Sequence, residues 1–291
     1  MSIASLFAGR GARLGILIPF AALLCGPSPA SATAFLGSAQ SFAVLGASGV
    51  TNTGNTTIYG DVGTYPTVGI TGTSTISITG SYHNADAVAQ LAQTDSTTAF
   101  NALAALPFTT NLTGHDLGTV GTLTPGVYFF SSSAQLTGTL TLDYGSTPNA
   151  PFVFQIGSTL TTASNSAVDI LHGGANSGVY WEIGSSATLG SSTAFAGNIL
   201  ASKSISFDSS ASIVCGRAIA LTGAVTMIGN TISNNCVSQN FGTNISDYGS
   251  AGFSGSPTGG STSVPEPGSA LVLAMGLVGL ATATTLRARA R

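Results

Sequence analysis

The sequence predicts an all-β chain wound as a solenoid, with one long helix packed alongside. Three observations carry this. Between Gly126 and Ser233 a short strand, a corner rich in Ser, Thr, Gly and Ala, and a second strand recur. The passes are Gly126–Leu142, Pro151–Ile170 and Gly178–Gly197, then the shorter Ser204–Val214 and Leu221–Ile228. Self-similarity at roughly 20 to 30 residues without a helical period marks stacked coils, each burying its apolar side against its neighbours. Charge is sparse, at 6% of 291 residues against about 25% in ordinary soluble domains. Finally, Asn84–Leu106 lacks Gly and is rich in helix formers, unlike everything around it.

The first segment, 1–32, reads as a secretory signal. Arg10 and Arg13 precede the apolar run Leu14–Leu24, and Ala30-Ser31-Ala32 offers a small-residue cleavage site. The solenoid body is expected over 33–237. Thr71–Thr79 alternates hydroxyl residues with Gly or Ile, as a half-exposed strand would. The helix is expected over about 85–106, capped by Asn84 and stopped by Pro107. Its apolar stripe would be Val88, Leu91, Ala92, Ala99, Ala102, Leu103 and Leu106, with Asp95 loosening the packing midway. About 22 residues make a rod of roughly 33 Å, long enough to brace several coils. Asp143–Ala150 and His172–Ser177 are turn clusters.

Beyond the body, 238–263 is a Gly/Ser-rich linker, and 264–291 holds Pro265-Glu266-Pro267, the apolar run Ser269–Leu286 and a tail with Arg287, Arg289 and Arg291. The combination resembles the Pro-Glu-Pro C-terminal sorting signal of Gram-negative bacteria. That resemblance implies export, transient anchoring in the inner membrane, and a membrane sorting protease as partner, with release toward the outer surface. Cys215 and Cys236 are the cysteines left after export and are expected to pair. Closing that loop contributes about 3 kcal/mol.

Chemistry is poorly represented. Outside the terminal segments nine acids face two bases, Lys203 and Arg217, which argues against nucleic acid. No nucleophile elbow, zinc motif, phosphate loop or calcium repeat occurs, so no catalytic residue, metal or cofactor is expected. His83, His115 and His172 read as loop residues. Tyr128, Phe130, Phe152, Phe154, Tyr180 and Trp181 read as core.

The corners are more informative. Thr53-Gly-Asn-Thr56 and Thr162-Ala-Ser-Asn165 share the form Thr-(Gly/Ala)-x-(Thr/Asn). Looser versions involve Thr137, Thr139, Ser191, Thr193, Ser210, Ser212 and Thr222. Stacking would bring such residues into ranks one strand spacing apart, a surface of hydroxyls and methyls able to order water. Thr and Ser also simply suit exposed strands and corners.

Leu36–Gly46, Val50-Thr-Asn-Thr-Gly54, Gly60-Asp-Val-Gly63, Leu123-Thr-Pro-Gly-Val-Tyr128, Phe154–Leu160, Ile183–Gly190, Phe195–Leu200, Gly216–Ala218 and Gly223–Thr226 resemble the microbial ice-binding protein family. The likeness runs from about Phe35 to Ser233. It implies a right-handed parallel β-solenoid of triangular section with a long helix beside it. It also implies adsorption to ice, by a monomer, through a flat Thr/Ser/Ala face that includes the corner residues above. The alternative is a cell-surface or biofilm-matrix adhesin of the same fold that binds extracellular polysaccharide.

Overall fold

The computed structural model describes residues 35–147, 150–173 and 178–234. The signal segment, linker, sorting segment and Cys236 lie outside them. Short apolar strands separated by tight corners cannot bury both faces within one coil, so the coils stack in parallel. Every strand pairing is parallel. The result is a β-solenoid with three sides. One is a seven-stranded sheet, in the order Ala134–Leu136, Leu160–Thr162, Ala187–Leu189, Ile205–Phe207, Ala224–Ile228, Gly49–Thr53 and Ile70–Thr71. The other two sides belong to a fifteen-stranded sheet, because Ala194–Ala201 and Ser212–Ala220 bend from one side onto the next. Gly197 and Gly216 make that bend, at φ +103° and +148°. A Cβ on Gly216 would sit 1.9 Å from Gly197 O, so the close approach requires glycine.

Inside, large residues stack rung on rung. Phe154 and Trp181 lie parallel at 4.0 Å, Tyr128 stacks on Phe154 at 5.3 Å, and Trp181 Nε1 donates to Ala196 O at 3.0 Å. These aromatics are core, as expected.

Order along the stack differs from order along the chain. The first strands, Phe42–Gly46, Gly49–Thr53 and Thr56–Tyr59, form a rung that lies directly against the last rung, made of the second half of Ser212–Ala220, Ala224–Ile228 and Thr231–Ser233. The chain then makes one further rung and enters the helix α1 (Ala87–Ala104). The helix carries it to the opposite end of the stack, where Thr110–Asn111 begins the coils that wind back. Eighteen residues span about 27 Å, close to the roughly 29 Å of six strand spacings. The helix is therefore a return run as well as a brace.

It covers the middle strands of one side. Ala89, Ala92, Ala99 and Leu103 pack on Leu45, Val153, Tyr180, Leu200 and Ile219, together with Leu36, Ala39 and Phe42. This corrects several expectations. The cap is Asp86, whose carboxylate accepts from Ala89 N at 2.8 Å; Asn84 instead ends a strand. The buried stripe is Ala89, Ala92, Gln93, Ser96, Ala99 and Leu103, while Val88 and Leu91 are about half exposed and Ala102 is exposed. Small residues at this spacing let the helix lie close to the sheet, and that contact outweighs the larger side chains a turn away. Asp95 does not loosen the packing: it accepts from Ser38 N at 2.7 Å and Ser38 Oγ at 2.6 Å, tying the helix to the entering chain. Gln155 Nε2 donates to Leu103 O and Leu106 O, satisfying carbonyls that the helix end leaves open. Finally, 71–79 is not one strand. Thr73–Thr75 forms a 3₁₀ turn that separates Ile70–Thr71 from Ile76–Ile78 on the next side.

Candidate functional site

On the seven-stranded side, alternation sends Ala134, Leu160, Ala187, Ile205 and Val225 inward. The residue after each points outward. Cross-strand pairing then aligns Gln135, Thr161, Thr188, Ser206, Thr226, Thr51 and Thr71 in one unbroken rank. All seven are exposed or half-exposed. At about 4.8 Å per step the rank presents a hydroxyl at each position after the first, with a methyl beside it wherever the residue is Thr. A second outer column includes Thr137, Asp208, Ile228 and Thr53, with Thr53 directly opposite Ile228. At the other margin Thr159 Oγ1 donates to Ser133 Oγ at 2.8 Å, and Ser186 and Ser204 continue the line. Among the described residues no α-helix packs on this side.

The corner toward the third side is held from beneath by buried polar groups. Thr162 Oγ1 and Thr193 Oγ1 bond at 2.8 Å, Gly190 N donates to Thr162 Oγ1 at 2.9 Å, and Ser166 Oγ donates to Leu136 O at 2.9 Å. Asn230 Nδ2 donates to Asp208 O and Ala211 O, both at 2.8 Å. Asn230 N donates to Thr56 Oγ1, which donates to Asn52 Oδ1 at 2.6 Å. Each rung thus supplies buried polar groups that satisfy the turning backbone. Outside, Asn165, Ser192 and Ser210 adopt left-handed φ near +60°, as Gly54, Gly138 and Gly229 do in other rungs.

The expected site residues therefore divide. Thr56, Thr162 and Thr193 are 1%, 3% and 0% exposed and hold the corner from within, which corrects their assignment to an outer face. Thr53 and Thr137 lie on the outer seven-stranded side; Thr137 Oγ1 donates to Asp116 Oδ2 at 2.7 Å. Asn165, Ser191 and Ser210 belong to the corner turns, and Thr222 sits at the opposite corner, donating to Ser202 O at 2.6 Å. Thr139 and Ser212 stand on the third side, in a rank with Ala167, Ala194, Thr231, Thr57 and Ser77. Sequence reasoning missed Thr51, Thr71, Thr161, Thr188, Ser206 and Thr226. Their signal was a single polar residue between two inward ones, as in Ala187-Thr188-Leu189 and Ile205-Ser206-Phe207.

The third side is less uniform. Asp169 stands opposite Thr141, Leu171 is exposed, and Asp143 Oδ1 pairs with His172 Nδ1 at 2.7 Å. His83 is held between Asp86, at 2.9 Å, and Asp61, at 3.9 Å. The hydrogen bond from Ala89 N and the His83 contact keep Asp86 below its usual carboxylate range. Asp61 accepts from Ser81 N at 2.8 Å, and Asp143 accepts from Gly145 N at 2.8 Å. Among the described residues no group of three or more His, Cys, Asp or Glu could hold a metal ion, and no helix is long and apolar enough to cross a membrane. Cys215 is buried in the core, while its expected partner lies beyond the described residues.

Residues 44–233 match the family model described as Ice-binding-like. An ice-binding protein from Nostoc sp. (strain HG1) is 52% identical over 210 residues, covering 72% of this chain and 77% of that protein. The crystal structure of an ice-binding protein from an Antarctic biological consortium superposes with a TM-score of 0.64 at 43% identity, covering 68% of this chain and 89% of that one. The structure from the Antarctic ascomycete Antarctomyces psychrotrophicus gives 0.64 at 38% identity, covering 68% and 96%. With the family model spanning residues 44–233, more than half of the 291, the chain belongs to the ice-binding-like family.

Proposed function

We propose that this is an exported, monomeric protein that adsorbs to ice through the outer face of its seven-stranded sheet. The observation that carries the reading is the rank Thr161–Thr188–Ser206–Thr226–Thr51–Thr71, regular, uncharged and uncovered. Hydroxyls at a fixed repeat hydrogen-bond water at defined points, while the intervening methyls confine it. The rigid stack holds these positions before contact, so little ordering entropy remains to oppose adsorption. Bound molecules pin the crystal front, which bulges between them and grows only at lower temperature. The names of the relatives agree with this reading. Export by the 1–32 signal, a Cys215–Cys236 disulfide, and sorting through Pro265-Glu266-Pro267 complete it, without catalysis or cofactor.

The test is ice-affinity partitioning and freezing hysteresis of Thr161→Tyr and Thr226→Tyr, against Thr57→Tyr on the third side. A bulky ring on the flat rank should abolish hysteresis in the first two and leave the control near wild type. Equal loss in all three, or loss only in the control, refutes the assignment of the face. Wild-type protein recovered wholly in the liquid fraction refutes ice adsorption.

A further inference from the structure

The C-terminal end of the described body leaves it beside the start of the opening rung, while Phe35, the first described residue, packs on Tyr180 further along the covered side. Asn234, the last described residue, donates from N to Tyr59 O at 3.1 Å and from Nδ2 to Ser41 O at 2.8 Å. At the other end Gly37–Ser41 lies over the helix-covered side, fixed by Arg217, whose Nε and Nη2 donate to Gln40 O. The meeting point is the corner between the third side and the helix-covered side. In a three-sided solenoid, that corner is opposite the seven-stranded sheet. The described residues 144–147 and 172–173 also leave the third side at this corner. Connections along the inner rungs of the seven-stranded sheet have two to five residues, and the ten-residue stretch 112–121 runs along its Gln135 end.

We infer that the body is arranged to work while tethered: held by its C-terminal flank, it presents the seven-stranded face away from the attachment and captures ice for whatever carries it. The inference rests on the ice reading above and adds an orientation to it. A soluble molecule tumbling freely gains nothing from where its flanks emerge. A molecule fixed to a surface loses its binding face if the attachment lies beside that face and keeps it if the attachment lies opposite.

Lys203 provides the contrast. It is the chain's only lysine, exposed at the border of the seven-stranded sheet two residues before Ile205–Phe207. The full chain would be coupled to beads through a C-terminal biotin, or through the Lys203 amine, with Lys203→Arg measuring coupling by the N-terminal amine. Slow freezing should carry the C-terminally held beads into the ice at least tenfold more than the Lys203-coupled beads. Equal capture of both sets overturns the inference, as does C-terminally held protein left in the liquid while the free chain enters the ice. If the free chain also stays in the liquid, the ice reading fails and this inference fails with it.

Discussion

Glu182 is an acid placed where charge is expensive. It lies under the helix, 7% exposed, between Gln155 and Leu200 on the neighbouring strands. Burial raises its carboxyl from the ordinary 4.5 to about 7. The folded state therefore holds a proton that the unfolded chain releases near pH 4.5. Its contribution is complete below that pH and is lost as pH rises toward 7, so stability falls across this window. Unscreened, the displacement corresponds to about 3 kcal/mol. Partial access of the carboxyl to water reduces this to about 1–2 kcal/mol. Glu182→Gln keeps the shape and removes the titration. Urea unfolding at pH 4.5, 6 and 8 should show the variant equal to wild type at the lowest pH. At pH 8 it should be more stable by that 1–2 kcal/mol. Parallel stability curves for the two proteins would refute the reasoning.

The adjacent residues Thr161 and Thr162 should behave oppositely. Thr162→Val strands Gly190 N and leaves Thr193 Oγ1 only its bond to Ala163 O; it should cost about 1–3 kcal/mol by chemical denaturation, whereas Thr161→Val should stay within about 0.5 kcal/mol. Asp95→Ala removes both bonds from Ser38 and should cost about 1.5–3 kcal/mol, with faster amide exchange in Gly37–Ser41 as the local readout. Asn230→Ala takes from Ala211 O its amide donor and from Asp208 O one of two donors, the other being Ala211 N, and should lower the thermal midpoint through a loss of about 1–3 kcal/mol; an unchanged midpoint would mean that water replaces the amide.

What could be read in the sequence was whatever is local and repeated. The strand–corner–strand theme and the Gly-free stretch after Asn84 each specify an element type through short-range chemistry. The rotation of the helix was not legible: Val88 and Leu91 look like core on a helical wheel. The covered sheet, however, accepts small residues at 89, 92, 96 and 99, and only the tertiary contact decides this. The site was misread for a related reason. Thr53-Gly-Asn-Thr56 and Thr162-Ala-Ser-Asn165 look like two copies of one motif, but their left-handed residues are Gly54 and Asn165, so they are out of register. In a strand a slip of one residue exchanges the two faces. Thr162 consequently turns inward, and its neighbour Thr161 faces water.

The placement of the opening rung against the closing one has a kinetic consequence. Asn230 meets Thr56, and Arg217 meets Gln40, across 174 and 177 positions of chain. Until synthesis reaches these late residues, the early rung keeps one flank of raw strand edge, the kind of surface that invites mispairing. Assembly is accordingly a late, long-range event and should be slow. A chain cut short after Phe207 would be an arch without its keystone.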